Sequence, residues 1–252
     1  MKHDTVERDI TDVLGLPGKG RTVVSAVGAG GKTSLLRRLA EGYVRRGQQV
    51  IVTTTTHMMA EPCPWFLLEP SEEKLHRILT EYGQAWVGTP ASQGKMQGVS
   101  PEFMEKIWNT HLPVLIEADG ARRLPLKVPG EREPVILPET THVMSVYGMD
   151  AVGRPLEEIC FRPERAAFLL NKKTTDPVTE EDIAFLAASE EAGRKGCPGN
   201  AVYTVVLNKA DDDRRRSCAS LIRRRLMDMG VENVVISCLG GPEAGDREAD
   251  GI

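Results

Sequence analysis

Residues 21–27, Arg-Thr-Val-Val-Ser-Ala-Val, form a short apolar run rich in β-branched side chains, which predicts a buried strand. Leu35, Leu36, Leu39, Ala40, Tyr43 and Val44 then recur at helical spacing, and Gly47 closes that helix. QQVIVTTTT at 48–56 is the next strand, so a β-turn-α-β unit opens the chain and points to a parallel sheet with crossover helices. Upstream, residues 4–16 have the pattern of a short amphipathic helix stopped by Gly15 and the Pro17-Gly18 turn. Further on, the pattern predicts helices at 71–82 and 101–110, with Pro101 in the first turn, and a short strand near AWVG at 85–88. LPVLIEADG at 112–120 is a buried strand ending in acids, and THVMSVYG at 141–148 is another. Between them, 124–138 carries four prolines and reads as an extended excursion.

The segment 150–200 is polar and helical, with a Thr-x-x-Asp capping pattern at Thr179. AVYTVVLNKAD at 201–211 predicts a central strand, followed by a helix over 212–229 and a last strand in VENVVISCL. The Gly- and acid-rich tail 241–252 predicts disorder. The expected fold is a single α/β domain over 1–240, P-loop NTPase-like and three-layered. It has a mostly parallel sheet with helices on both faces and a helical insertion at about 150–200.

Composition narrows the function classes. A net charge of -4 argues against a general nucleic-acid or membrane-surface binder. The arginine runs at 214–216 and 223–225 are flanked by Asp211–Asp213 and Asp228 and read as a solvated helix face, with Leu221, Leu226 and Met229 turned to the core. Five scattered cysteines without a C-x-x-C pair suit reduced thiols in a cytoplasmic protein. The charged N-terminus lacks a signal-peptide core, and no apolar run approaches the roughly 20 residues of a membrane span.

The chemistry starts at SAVGAGGKTSLL, residues 25–36. A Gly-rich turn ending in Gly-Lys-Thr, placed between a strand and a helix, is a phosphate cradle. Glycine amides and the helix N-terminus meet the phosphates, the lysine reaches the β- and γ-phosphates, and the threonine hydroxyl ligates Mg²⁺. Gly28, Ala29, Gly30, Gly31, Lys32, Thr33 and Ser34 supply these parts, although Ala26 stands where the usual G-x-x-x-x-G-K-[ST] pattern has its first glycine. On the strand side a methyl is tolerated if the backbone stays extended.

Such a loop needs an acid at the end of a neighbouring strand. Glu117 fits Mg²⁺, Asp119 fits Mg²⁺ or the attacking water, and Gly120 can approach a γ-phosphate closely. Thr54, Thr55, Thr56 and His57 end the second strand. Two of its hydroxyls at most could face the nucleotide, and threonine is also simply a good strand former. His57 could position water; paired with Cys63 it falls short of a metal site. Asn208, Lys209 and Asp211 make the N-K-x-D element that reads guanine in GTP-binding proteins. There the carboxylate accepts the ring N–H and the exocyclic amine, and the lysine stem covers the base. GTP is therefore favoured over ATP.

VGAGGKTSLL, TTTTHM, IEADGARRLPLKVPGEREPVI, the FRPE stretch at 161–164 and VLNKAD together resemble the YqeC family of P-loop proteins associated with selenium-dependent molybdenum hydroxylases. More distantly, the acidic strand end with N-K-x-D resembles GTPases of urease and hydrogenase metal-centre assembly. The resemblance implies a maturation role, with a molybdenum hydroxylase or another cofactor-maturation protein as partner, and a homodimer as an option. Arg122, Arg123 and Lys127 lie in the family block and suit an anionic ligand, or are solvated surface cations. Three hypotheses follow: a Mg²⁺-dependent GTPase, an ATP-dependent transferase or ligase acting on a small anionic substrate, and a nucleotide-binding scaffold with negligible turnover.

Overall fold

The computed structural model describes residues 10–16 and 21–239. Eight strands form one sheet: β1 (Val23–Gly28), β2 (Val50–Thr54), β3 (Phe66–Leu67), β4 (Gln84–Val87), β5 (Val114–Glu117), β6 (His142–Gly148), β7 (Val202–Asn208) and β8 (Val234–Ile236). Their order across the sheet is β8-β7-β6-β1-β5-β2-β4-β3, and every pairing is parallel. The helices are α1 (Ile10–Val13), α2 (Lys32–Arg45), α3 (Glu72–Tyr82), α4 (Pro101–Asn109), α5 (Leu156–Ile159), α6 (Pro163–Leu170), α7 (Glu180–Ala188) and α8 (Asp213–Asp228).

Alternation along the strands divides the core into layers. Val24 and Ala26 of β1, with Met144 and Val146 of β6, pack on Leu35, Leu36, Leu39 and Tyr43 of α2. On the reverse face Val23, Ile51 and Ile116 lie under α3 and α4. Val143, Tyr147, Val205 and Leu207 lie under α7 and α8. Each such Val, Leu, Ile or Met side chain contributes on the order of 1.5–3 kcal/mol by burial. The fold is thus an α/β sandwich with helices on both faces of a parallel sheet.

The helices start and stop for local reasons. Ser71 caps α3 through the Lys74 amide, and Gly83 ends it at φ 70°. Pro101 occupies the first turn of α4 behind a Ser100 cap. Thr179 and Asp182 close a reciprocal capping box on α7.

Several expectations shift. Among the described residues of the segment 4–16, Ile10–Val13 is helical; residues 4–9, Pro17-Gly18 and the tail 241–252 lie outside the described residues. β7 is not central but next to the edge, with only the three-residue β8 beyond it. Burial on both faces makes a strand apolar wherever it sits in the order, so pattern alone could not place it. In α8 the buried face is Cys218, Ala219, Ile222 and Leu226, whereas Leu221 and Met229 are exposed. Spacing of four carries one stripe inward and turns residue 221 away from it.

Two small sheets went unread. His57–Met59, Lys95–Gln97 and Thr89–Pro90 form an antiparallel three-stranded sheet, and Leu126–Lys127 pairs with Cys160–Phe161. The second puts a short strand inside the proline-rich excursion.

Candidate functional site

Because the strands are all parallel, their carboxyl ends share one edge. The turn after β1, the threonine run after β2, the acids after β5 and the Asn-Lys loop after β7 therefore converge there. In the first turn Gly28, Gly30 and Gly31 have φ of 86°, 87° and 129°. A Cβ on Gly30 would lie 2.2 Å from the Gly148 amide nitrogen, and one on Gly31 would lie 2.2 Å from Asn208 Nδ2. Glycine is required at both by backbone angle and by space. Ala26 sits inside β1, fully buried and in extended register with Glu117 and Met144, which is why the missing glycine costs nothing there.

The loop's amides are disposed differently from the simple cradle. Gly28 N donates to Asp119 Oδ2 (3.1 Å), Ala29 N to Val146 O (2.9 Å) and Gly30 N to Leu124 O (3.2 Å). These three fix the loop to its neighbours. At Gly31, by contrast, α2 begins with no side-chain cap. The amides of its first turn, which in any helix lack intrahelical partners, open on the cleft beside Lys32, Thr33 and Ser34.

Glu117 reaches this helix start from β5. Its Oε2 accepts from the Thr33 hydroxyl at 2.8 Å, and its main-chain oxygen accepts from Thr54 Oγ1 at 2.8 Å. Burial raises the Glu117 pKa, opposed by the Lys32 charge and the Thr33 hydrogen bond. A hydroxyl and a desolvated carboxylate side by side are hard oxygen donors, a set that fits Mg²⁺.

Asp119 points elsewhere. Its carboxylate lies between two ammonium groups, Lys32 Nζ at 3.1 Å and Lys127 Nζ at 2.9 Å. Lys32 Nζ also donates to Gly28 O at 2.6 Å. Lys127 is wholly buried and further binds Gly120 O (2.5 Å) and Glu133 Oε2 (2.8 Å). Arg162 completes the chain, its Nη1 2.8 Å from Glu133 Oε2. Phe161 lies beneath it, with Arg162 and Arg122 guanidinium carbons 4.2 and 4.7 Å from the ring centroid. Burial pushes the Glu133 carboxyl up, but the hydrogen bonds and charges of Arg162 and Lys127 outweigh it and hold it at about 2. Of the three cations expected near a ligand, Lys127 is thus engaged inside the protein, while Arg122 and Arg123 are exposed on the rim of the cleft at φ of 49° and 61°.

On the far side, Asn208 is buried and binds the phosphate loop directly, its Nδ2 donating to Gly30 O at 2.8 Å. Its Oδ1 accepts from Leu239 N at 2.9 Å. Lys209, at φ 62°, lines the cleft and pairs with Asp150 Oδ2 at 2.7 Å. Asp211 is exposed, 3.2 Å from Arg215, and outside the cleft lining.

The cleft joining these parts measures about 960 Å³. Thr56, His57 and Gly120 also line it, whereas the Thr54 and Thr55 hydroxyls donate to the backbone oxygens of Glu117 and Val135. Sequence reasoning missed Lys95 and Gln93, which reach the cleft from the small antiparallel sheet, and Asp150 behind Lys209. Glu133 and Arg162 carry no local signal of a role, because they meet each other across 29 residues of chain.

The chain is similar to known proteins. A family described as "YqeC protein" matches residues 24–164, which hold the phosphate loop, the acidic strand end and the Lys127–Glu133–Arg162 chain. "Uncharacterized protein YqeC" of Escherichia coli strain K12 is 39% identical over 142 residues, 54% of this chain and 55% of that protein, so the match spans about half the length of the curated relative. Among solved structures, HypB from Helicobacter pylori in complex with nickel aligns over 88% of this chain and 81% of its own, at 10% identity and a TM-score of 0.39. With its family pattern running over more than half its length, the chain belongs to the YqeC family.

Proposed function

We propose that this protein binds a nucleoside triphosphate with Mg²⁺ and acts as a GTPase that assists maturation of the selenium- and molybdenum-containing cofactor of a molybdenum hydroxylase. The observation that carries the nucleotide reading is the uncapped start of α2, with Lys32 and Thr33 on its first turn and buried Glu117 bonded to Thr33. An open helix N-terminus with a lysine favours phosphate, and the desolvated carboxylate beside a hydroxyl favours a divalent cation. Thr33 and Glu117 would hold Mg²⁺, which offsets phosphate charge when bound. Lys32 supports the β- and γ-phosphates. Hydrolysis forms a bond from water oxygen to the γ-phosphorus and breaks the bond to the β-bridging oxygen. Asp119 is held by both lysines and Gly28 N, which suits a positioning role for Lys32 better than a hold on water.

The N-K-x-D spacing of Asn208, Lys209 and Asp211 favours guanine, and of the three only Lys209 lines the cleft. Asn208 ties their loop to Gly30, so the base-reading segment and the phosphate loop form one unit. The maturation role rests on family membership and extends to a partner hydroxylase or another maturation protein.

Binding of GTP, ATP and XTP to the wild type and to Asp211→Asn, with and without Mg²⁺, tests the reading. GTP should win in the wild type. The variant should turn toward XTP, whose carbonyl in place of the exocyclic amine suits an amide. A preference for ATP that Asp211→Asn leaves unchanged overturns the guanine assignment and favours the ATP-dependent transferase or ligase.

A further inference from the structure

A second cavity, of about 560 Å³, opens at the same edge of the sheet, between the end of β2 and helix α4. Thr56 and His57 line both it and the phosphate cleft, so the two spaces meet at these residues. Its volume is that of a small-molecule site, for which roughly 300–1,000 Å³ is usual.

Its chemistry is the opposite of the phosphate cleft's. The apolar part is built by Val99, Met104, Trp108 and Leu137. The polar wall is the threonine run, with His57 and Gln97 beside it. Thr53, Thr54 and Thr55 each donate their hydroxyl proton to a main-chain oxygen, of Val87, Glu117 and Val135 respectively, each at 2.8 Å. A hydroxyl has one proton and two lone pairs, so none of the three has a proton left to donate; Thr54 Oγ1 already accepts from the Thr56 amide at 3.0 Å, whereas Thr53 and Thr55 keep their acceptor capacity. Gly98 packs closely on the end of β2, since a Cβ there would clash with the Thr54 main-chain oxygen at 2.6 Å. Glu105 and Glu139 add two carboxylates. Among the described residues no lysine or arginine lines this cavity; Arg21 stacks on the Trp108 ring at 4.8 Å without joining the lining. The neighbouring cleft, in contrast, is lined by Lys32, Lys95, Arg122, Arg123 and Lys209.

We infer that this cavity is a second-substrate site for a small flat molecule, uncharged or cationic, that carries N–H donors. The tryptophan and its apolar neighbours take the flat face, the threonine oxygens and the two glutamates take the N–H groups, and carboxylates or phosphates are turned away. The anionic nucleotide and the nitrogen-bearing substrate are thereby sorted by charge into adjoining spaces. Binding in the cavity stands on its own observations; the second-substrate role rests on the proposed nucleotide site next door.

Benzamidine, benzamide and benzoate, alike in shape and different in charge, are suitable probes. Each is titrated into the full chain while the indole N–H resonance of Trp108 is followed by NMR, assigned with Trp108→Phe. Benzamidine and benzamide should shift it saturably and benzoate should not. The double variant Glu105→Lys, Glu139→Lys changes one exposed and one half-buried position. It should weaken benzamidine at least roughly tenfold, about 1.4 kcal/mol, since two carboxylates give way to two ammonium groups. Lys32→Ala should lose nucleotide and keep benzamidine. GTP should alter benzamidine affinity in the wild type. Benzoate binding as well as benzamidine, or no saturable shift with any probe, overturns the cavity assignment. A cavity that binds benzamidine in a protein that binds no nucleotide overturns the second-substrate role and the nucleotide reading while the binding site stands. Equal benzamidine affinity with and without bound GTP overturns only the second-substrate role.

Discussion

Glu117 combines three properties in one side chain: burial, a bond to Thr33, and a place beside the Lys32 ammonium. Burial holds its proton more tightly than the ordinary value of 4.5. As pH falls through the raised value, the carboxylate that fits Mg²⁺ is lost. The Mg²⁺-dependent part of nucleotide affinity should therefore weaken at a higher pH than an ordinary glutamate would dictate, and Glu117→Gln should flatten that dependence. Calorimetric titrations across pH check this, and an identical pH profile in the variant refutes it. The stability sign is the reverse of the usual acid case. With the folded value above the unfolded one, the ionised Glu117 costs stability as pH rises through the interval between them. Asn208 teaches a different lesson at the same scale. Its motif position suggests base recognition, yet its amide is spent on Gly30 O, 178 residues away in sequence.

Elements are joined here by charge as well as by apolar packing. Lys127, in the short strand Leu126–Lys127, links Asp119 after β5 to Glu133 in the excursion, and Glu133 links onward to Arg162 at the start of α6. Removing one member of a buried ion pair strands its partner and typically costs about 3–5 kcal/mol. Lys127→Met keeps the length of the stem and leaves Asp119 its bonds to Lys32 and Gly28, so the lower end, about 3 kcal/mol, is expected. Denaturant unfolding measures it; a change under about 1 kcal/mol would mean the link contributes as little as a surface pair does. The patterns of α2, α3 and α4 were legible because each helix buries one stripe against the sheet, and α7 was legible from its Thr179 capping pattern. The two-residue strands at Phe66 and Leu126 were not, since a pair of residues carries no period.

At the scale of the whole molecule, acid should loosen the fold through Glu133. Its carboxyl sits at about 2 in the folded state against an ordinary 4.5, because Arg162 and Lys127 hold the ionised form against the opposing effect of burial. The stability it adds is fully present above about 4.5 and is lost as pH falls from there toward about 2. Melting temperatures over that range should fall less steeply in Glu133→Gln than in the wild type, from a lower value at neutral pH. Parallel slopes would exclude Glu133 as the acid-sensitive group. The sheet order matters at this scale too: with β1 flanked by β5 and β6, the acids and the phosphate loop are neighbours.

The sequence alone determined the β-turn-α-β start, the parallel sheet, the glycine-rich turn ahead of Lys32 and Thr33, the acidic strand end and the family, because each is written in local periodicity or in a short fixed spacing. Only the tertiary structure decided that β7 lies next to the edge and that Lys127 is buried between two carboxylates. The same holds for the bonds that hold the amides of Gly28, Ala29 and Gly30 to the protein, and for the cation-free cavity beside the cationic cleft. Those features depend on which distant segments meet. Contacts of that kind leave no period in the chain, since the energy that selects them arises only when the sheet brings the strand ends together.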